Sequence, residues 1–192
     1  MVRNPERRTA LVDAAIEVLA RDGARGLTFR AVDAQAGVPT GTASNYFTSR
    51  DDLFTQAGGR IHLRMAPDPA DVTEVIGSAA PSRELVAELL RWLMRRMTRE
   101  RTGYLAMLEL RLEATRRPAL QRELTRAVRA EFEENLSFHL DSGMPGDADT
   151  VLVLYLAMTG VLLEHLTLPE MFSEEETERL VEAVVSSVLP AE

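Results

Sequence analysis

The residues best suited to chemistry lie in one run, Thr40-Gly41-Thr42-Ala43-Ser44-Asn45-Tyr46, where short or polar side chains follow one another and only the last is large. What such a run offers is hydrogen bonding to a surface, and its small side chains let a backbone approach base edges closely. The flanking residues supply the elements that must position it. Thr28 is a good N-cap, and the segment after it carries Phe29, Val32 and Ala36 at near-helical spacing. Gly37, just past that helix, suits a positive φ, and Pro39 suits the first turn of the next element. A second short helix is therefore expected over Thr40 to Phe47. Ser49, three residues before Asp52, opens a third helix whose buried face begins at Leu53 and Phe54. Arg50 stands at that helix's N-terminus, placed for a phosphate. A helix, a glycine turn, a short helix and a capped third helix are the parts needed to lay one helix in a DNA groove.

This segment resembles the DNA-binding domain of the TetR family of transcriptional regulators. The residues that carry the resemblance are Thr28, Val32, Ala36-Gly37-Val38, Thr40-Gly41-Thr42, Tyr46-Phe47 and Ser49-Arg50-Asp51-Asp52-Leu53. Pro39, Ala43 and Ser44 depart from it, standing where the family commonly has serine, leucine and tyrosine. The resemblance implies base contacts from Thr40, Gly41 and Asn45, with Arg30 as a second base reader. It implies phosphate contacts from Thr28, Thr42, Tyr46 and Arg50.

Composition narrows the alternatives. The chain of 192 residues has no cysteine, which excludes thiolate catalysis, zinc ribbons and disulfides, and all 22 basic residues are arginine, which excludes P-loop and Schiff-base lysines. The net charge of −8 is unevenly spread. Residues 1–64 carry nine arginines against seven acids, a balance of +2, while residues 65–192 carry thirteen against twenty-three, a balance of −10. The basic side thus lies with the candidate DNA element. The N-terminus lacks the apolar core of a signal peptide, and the apolar run from Val151 to Leu163 is too short to span a bilayer, so no membrane partner and a cytoplasmic location are expected.

Periodicity elsewhere is helical throughout, with no strand pattern, giving an all-α chain. Glu6 to Arg21 reads as a scaffold helix, and the helix from Ser49 should reach Met65, where two prolines mark a boundary. A short helix is expected between Ala70 and Ala80, then long ones over Ser82–Arg101, Tyr104–Arg117, Pro118–Asp141, Asp149–Leu168 and Glu174–Leu189. The expected division is a three-helix helix-turn-helix domain over 1–48, a connecting helix over 49–66 and a helical ligand-binding and dimerisation domain over 67–192.

Within the last domain, Trp92, Met97, Tyr104, Met107, Leu108 and Phe132 are candidate apolar lining for an effector pocket, with Glu109 and Glu113 as polar groups one turn apart. Residues of this type at helical spacing are more often plain core, and Glu113 equally suits an ion pair with Arg116 or Arg117. Leu152, Tyr155, Leu156, Thr159, Leu163 and Leu166, with Val181 and Val185 from the last helix, are candidates for a dimer interface, a role the resemblance favours over a monomer core. His62, His139 and His165 lack a carboxylate three residues before them, and no H-E-x-x-H or G-x-S-x-G occurs, so neither metal, cofactor nor enzymatic activity is expected.

The function expected is a homodimeric, ligand-responsive repressor that reads a pseudopalindromic DNA operator, its two recognition helices about 34 Å apart or a little more. An effector would release it by favouring a state with the wrong spacing, the helix from Ser49 acting as lever. The alternative is a ligand-binding or adaptor protein of the same fold without operator function.

Overall fold

The computed structural model describes residues 4–189, and every regular element among them is helical. In order they are α1 (Pro5–Gly26), α2 (Phe29–Gln35), a 3-10 turn (Ala43–Asn45), α3 (Arg50–Met65), α4 (Pro69–Ile76), α5 (Arg83–Arg99), α6 (Arg101–Ala114), α7 (Pro118–Asp141), α8 (Ala148–Thr167) and α9 (Glu174–Val188).

Short polar side chains fix most of the starts. Asn4 caps α1, Thr28 accepts the Ala31 N–H to open α2, Ser49 accepts the Asp52 N–H to open α3, and Asp147 caps α8. At α9 the Ser173 hydroxyl and the Glu176 carboxylate satisfy each other's backbone N–H, a reciprocal box. Each such cap contributes about 1 kcal/mol. Pro118 opens α7 because its missing N–H would have no helical partner there.

The chain forms two compact units. The first comprises the residues through Ala66 together with Glu100–Arg129, and the second Pro67–Arg99 together with Ala130 onward. The first is built around α1, whose Leu11, Ile16 and Leu19 are wholly buried with Val32 of α2, Leu53, Phe54 and Ile61 of α3, and Leu110 of α6. The linear division 1–48, 49–66 and 67–192 is therefore not how the chain packs: α6 and the first half of α7 bury Leu110, Ala114, Leu120 and Leu124 in the same core as α1 and α3. Residues 1–3 and 190–192, the ends of that division, lie outside the described residues.

The second unit has a smaller core, formed by Leu85 and Val86 of α5, Met144, Leu154 of α8, and Val185 and Leu189 at the end of α9. In length and composition α8 does reach a membrane span, unlike the run from Val151 to Leu163 alone, because Ala148 to Thr150 and Glu164 to Thr167 extend the helix at both ends. Its inner face nevertheless packs as protein core through Val151, Leu154, Met158, Leu162 and Leu166.

Candidate nucleic-acid interface

The expected second short helix does not form. Thr40 to Thr42 are turns, Ala43–Asn45 is a single 3-10 turn, and Tyr46 closes it. The cause is Gly41, whose φ of 93° no helix accommodates and few side chains tolerate. Gly37 has the positive φ expected of it, 64°.

A buried carboxylate holds this turn. Asp33, 1% exposed, sits on the inner face of α2 and accepts the Gly41 N–H through Oδ2 and the Ala43 N–H through Oδ1, both at 2.7 Å. Its own backbone carbonyl accepts the Val38 N–H at 3.0 Å. Arg8 of α1 secures the far end, donating from Nη2 to the Tyr46 carbonyl at 2.7 Å with its guanidinium 5.5 Å from the Phe47 ring centre. Phe47 stacks on Phe29 at 6.4 Å, seating the turn on α2.

On this base the expected contact residues divide. Thr28, Arg30, Thr40, Gly41 and Asn45 are exposed, and Arg30 has no ion pair among the described residues. Thr28 uses its oxygen to cap α2, which leaves its hydroxyl proton available for a donor role. Ser44 and Asn45 both lean back on the Gly41 carbonyl, the hydroxyl at 2.8 Å and Nδ2 at 3.1 Å, while Asn45 remains exposed. Thr42 and Tyr46 are half-buried. The Thr42 hydroxyl donates to the Pro39 carbonyl at 2.6 Å and so braces the turn, its proton being spent inside the protein.

Arg50 corrects the sequence reading. Its guanidinium turns inward, donates from Nη2 to the Ala24 carbonyl and lies 5.1 Å from the centre of the Phe54 ring. A side chain holding α1 to α3 in this way is not presented to a phosphate. Asp33 and Arg8 were the residues missed. Asp33 left a signal, because it falls on the stripe of Phe29, Val32 and Ala36, where an acid must find buried donors; Arg8 left none.

The candidate effector residues are divided between the two units. Trp92, Met97 and Phe132 belong to the second unit, and Tyr104, Met107, Leu108 and Glu109 to the first. Met97 and Tyr104 are buried, and Met107 packs on the core of the first unit. Glu109 has a structural partner, for its Oε2 accepts the Ala24 N–H at 3.0 Å. Glu113 pairs with Arg117 at 2.6 Å and with Arg116 at 3.2 Å, as the ion-pair reading required. The hydrogen bond from Arg117 holds its carboxyl below the ordinary value against the opposing effect of burial. An open depression at the α8–α9 connection is lined by Thr167, Leu168, Pro169, Glu170 and Met171.

The dimer candidates also separate. Leu166, Val181 and Val185 are at most 1% exposed and belong to the interior of their own unit, because α9 packs on α8 within one chain. Leu152, Leu156 and Leu163 remain exposed, joined by Val153, with Tyr155 and Thr159 half-buried and the Phe132 ring edge-on to Tyr155 at 5.3 Å. Of the histidines, His139 Nε2 lies 2.9 Å from the Pro145 carbonyl and His165 Nε2 3.2 Å from the Thr98 hydroxyl. No group of three His, Asp or Glu placed to hold a metal occurs among the described residues.

Both parts of the chain resemble known proteins. Residues 11–57 match the family model for bacterial regulatory proteins of the tetR family, and residues 81–191 match the tetracyclin repressor-like C-terminal domain. The chain is 23% identical over 170 residues to the nicotine-responsive transcriptional repressor HdnoR of Paenarthrobacter nicotinovorans, covering 85% of this chain and 86% of that one. A TetR-family member from Streptomyces coelicolor, 31% identical, superposes with a TM-score of 0.67 over 94% of this chain and 98% of that one. The multidrug binding protein EbrR, in its complex with imidazole, is 29% identical, with a TM-score of 0.68 over 98% of each chain.

Proposed function

The chain belongs to the TetR family, and as a DNA-binding transcriptional regulator of that family we propose that it binds a pseudopalindromic operator as a homodimer and represses until a small-molecule effector releases it. The observation that carries this reading is the exposed turn from Thr40 to Asn45, small and polar outward and anchored from within by Asp33 and Arg8. Base reading is assigned to Thr40, Gly41 and Asn45 with Arg30, and phosphate contact to Thr28 and Tyr46.

For the dimer, the support is the outer face of α8. Leu152, Val153, Leu156 and Leu163 stand exposed around Gly160, whose position has nothing within 4 Å. Covering these half-exposed side chains on two protomers, at about 1 kcal/mol each, stabilises by roughly 8 kcal/mol, the same order as the cost of association. A second α8 crossing at Gly160 is the partner we assign, with residues of α9 alongside.

The effector class is suggested by relatives. HdnoR is described as nicotine-responsive, and EbrR has been solved with imidazole, ethidium and proflavin. Small nitrogen heteroaromatic molecules are therefore the first set to test for release of this protein from DNA. A cytoplasmic location follows from the same function.

Sequencing of the fragments that the purified protein retains from random duplex DNA, at a stated salt concentration, tests the reading. An inverted repeat with half-sites one helical turn apart is expected. Recovery of no motif, with and without the heteroaromatic set, overturns it.

A further inference from the structure

We infer that Asp33 is a positioning residue for sequence reading: its carboxylate orients the Gly41 peptides, and through them the Asn45 side chain, to which base reading is assigned. The inference rests on the operator reading above and adds to it a residue that never touches DNA.

The geometry is a relay through one glycine. On one side of the Gly41 Cα, the N–H donates to Asp33 Oδ2 at 2.7 Å. On the other, the Gly41 carbonyl accepts from the Ser44 hydroxyl at 2.8 Å and from Asn45 Nδ2 at 3.1 Å. With φ at 93°, the two peptides flanking Gly41 sit in an arrangement that has no helical counterpart. Ala43 N–H, bound to Asp33 Oδ1 at 2.7 Å, fixes the peptide that follows them. Asp33 is 1% exposed, so its carboxylate is shielded from water, the bond to Ala43 is buried and that to Gly41 part-buried, and an ionised acceptor binds an amide more strongly than a neutral one does.

Chemistry requires a carboxylate here. Two N–H donors converge on one side chain, and only Asp or Glu offers two acceptor oxygens with no donor of its own. Asparagine has the same shape but would turn an NH2 group toward either the Gly41 or the Ala43 N–H, setting donor against donor. One end of the turn would then be released, and with it the peptide on which Asn45 leans. A glutamate is longer by one methylene in a site with no room exposed to solvent.

The test compares wild type, Asp33→Asn and Asp33→Ala with the core variant Ile16→Val, which lowers stability without touching the turn, all well below their melting temperatures. For each, affinity is measured for the selected operator and for random-sequence duplex, and the base preference is determined anew. The expected result is a loss of operator affinity on the order of tenfold or more for both Asp33 variants, a broadened preference at the base read by Asn45, and unchanged affinity for random duplex. Ile16→Val should keep the wild-type preference. Amide exchange in the wild type provides a readout independent of any variant's folding: the Gly41 N–H, on an exposed residue, should exchange slowly. An Asp33→Asn protein with the wild-type motif and the wild-type ratio of operator to random affinity overturns the inference and leaves the operator reading standing, as does fast exchange at Gly41. A wild type that selects no motif overturns the operator reading and the inference together.

Discussion

The Glu109 carboxylate accepts the backbone N–H of Ala24 at 3.0 Å, at the point where Gly23 leaves helical geometry and interrupts α1. The neighbouring Ala24 carbonyl accepts from Arg50. One residue of α1 is thereby held by side chains of α6 and α3. The break leaves the Ala24 N–H without a helical partner, and Glu109 supplies one, while the Ala24 carbonyl accepts both the Leu27 N–H and Arg50.

Glu109→Ala should therefore destabilise the protein by about 1–3 kcal/mol, because it leaves a part-buried donor unpaired. Glu109→Gln, which keeps an acceptor oxygen, should lie close to wild type. Thermal unfolding of the two variants checks this. If both were equally stable and only effector release changed, Glu109 would be a ligand residue after all.

Arg50→Ala should act in the same way, lowering stability by about 1–2 kcal/mol through the lost carbonyl bond and the lost contact with the Phe54 ring. Its effect on DNA is the distinguishing quantity. A phosphate contact contributes about one unit to the salt dependence of binding. The inward guanidinium predicts an unchanged slope of log affinity against log salt, and a slope reduced by about one unit would restore the phosphate role.

What the sequence disclosed and what it hid follow from the range of the interactions. Caps are local, so Thr28, Ser49 and the run from Ser173 marked their helices, and the helix from Pro118 to about Asp141 was legible. The end of the scaffold helix at Arg21 was nearly right, although α1 resumes beyond Gly23 for one more turn. Arg50 could not be placed, because the carbonyl that draws it inward lies 26 positions away. The α8 sequence is apolar on most sides, so periodicity alone could not tell Leu166, which faces in, from Leu156, which faces out. The run from Thr40 to Asn45 was located correctly and given the wrong conformation, since the positive φ of Gly41 goes with a hydrogen bond to an acid eight residues earlier.

Acid should weaken the fold through its paired carboxylates. Glu113 titrates below its ordinary value because of the hydrogen bond from Arg117, and Glu88 does so because of the one from Arg95. A depressed folded value means that the stabilisation is complete above the unfolded carboxylate value of about 4.3 and is lost as the pH falls through the folded one. Glu113→Gln should be less stable than wild type at neutral pH and should lose less of its melting temperature on going below that value. Parallel melting curves for the two proteins across that window would show that the pair contributes nothing to the pH dependence. Arg117 also pairs with Asp51, so part of the partner's role survives the substitution.

Leu156, 59% exposed on the outer face of α8, tests the dimer without disturbing the core. Leu156→Glu should leave the helical content unchanged and yield a monomer by sedimentation, since a carboxylate there would have to be desolvated opposite its own copy. Operator affinity should fall to that of a single half-site. A variant that remained dimeric would place the interface elsewhere.

Asn45 and Tyr46 should separate specificity from affinity. Asn45 is exposed, and with Nδ2 held by the Gly41 carbonyl its Oδ1 is the polar atom left for a partner outside the turn. An acceptor fixed in this way discriminates among base donors in the major groove, and its loss in Asn45→Ala should relax preference at one base pair by about 1–3 kcal/mol while affinity for random duplex holds. Tyr46 is half-buried against the core of its unit, with only its hydroxyl suited to a phosphate. Tyr46→Phe should therefore weaken binding to all sequences alike. Selection from random duplex with each variant, at the same salt, reads both effects together. A uniform loss in Asn45→Ala with the motif intact would move base reading from Asn45 to its neighbours Thr40 and Arg30, the other exposed side chains assigned to it.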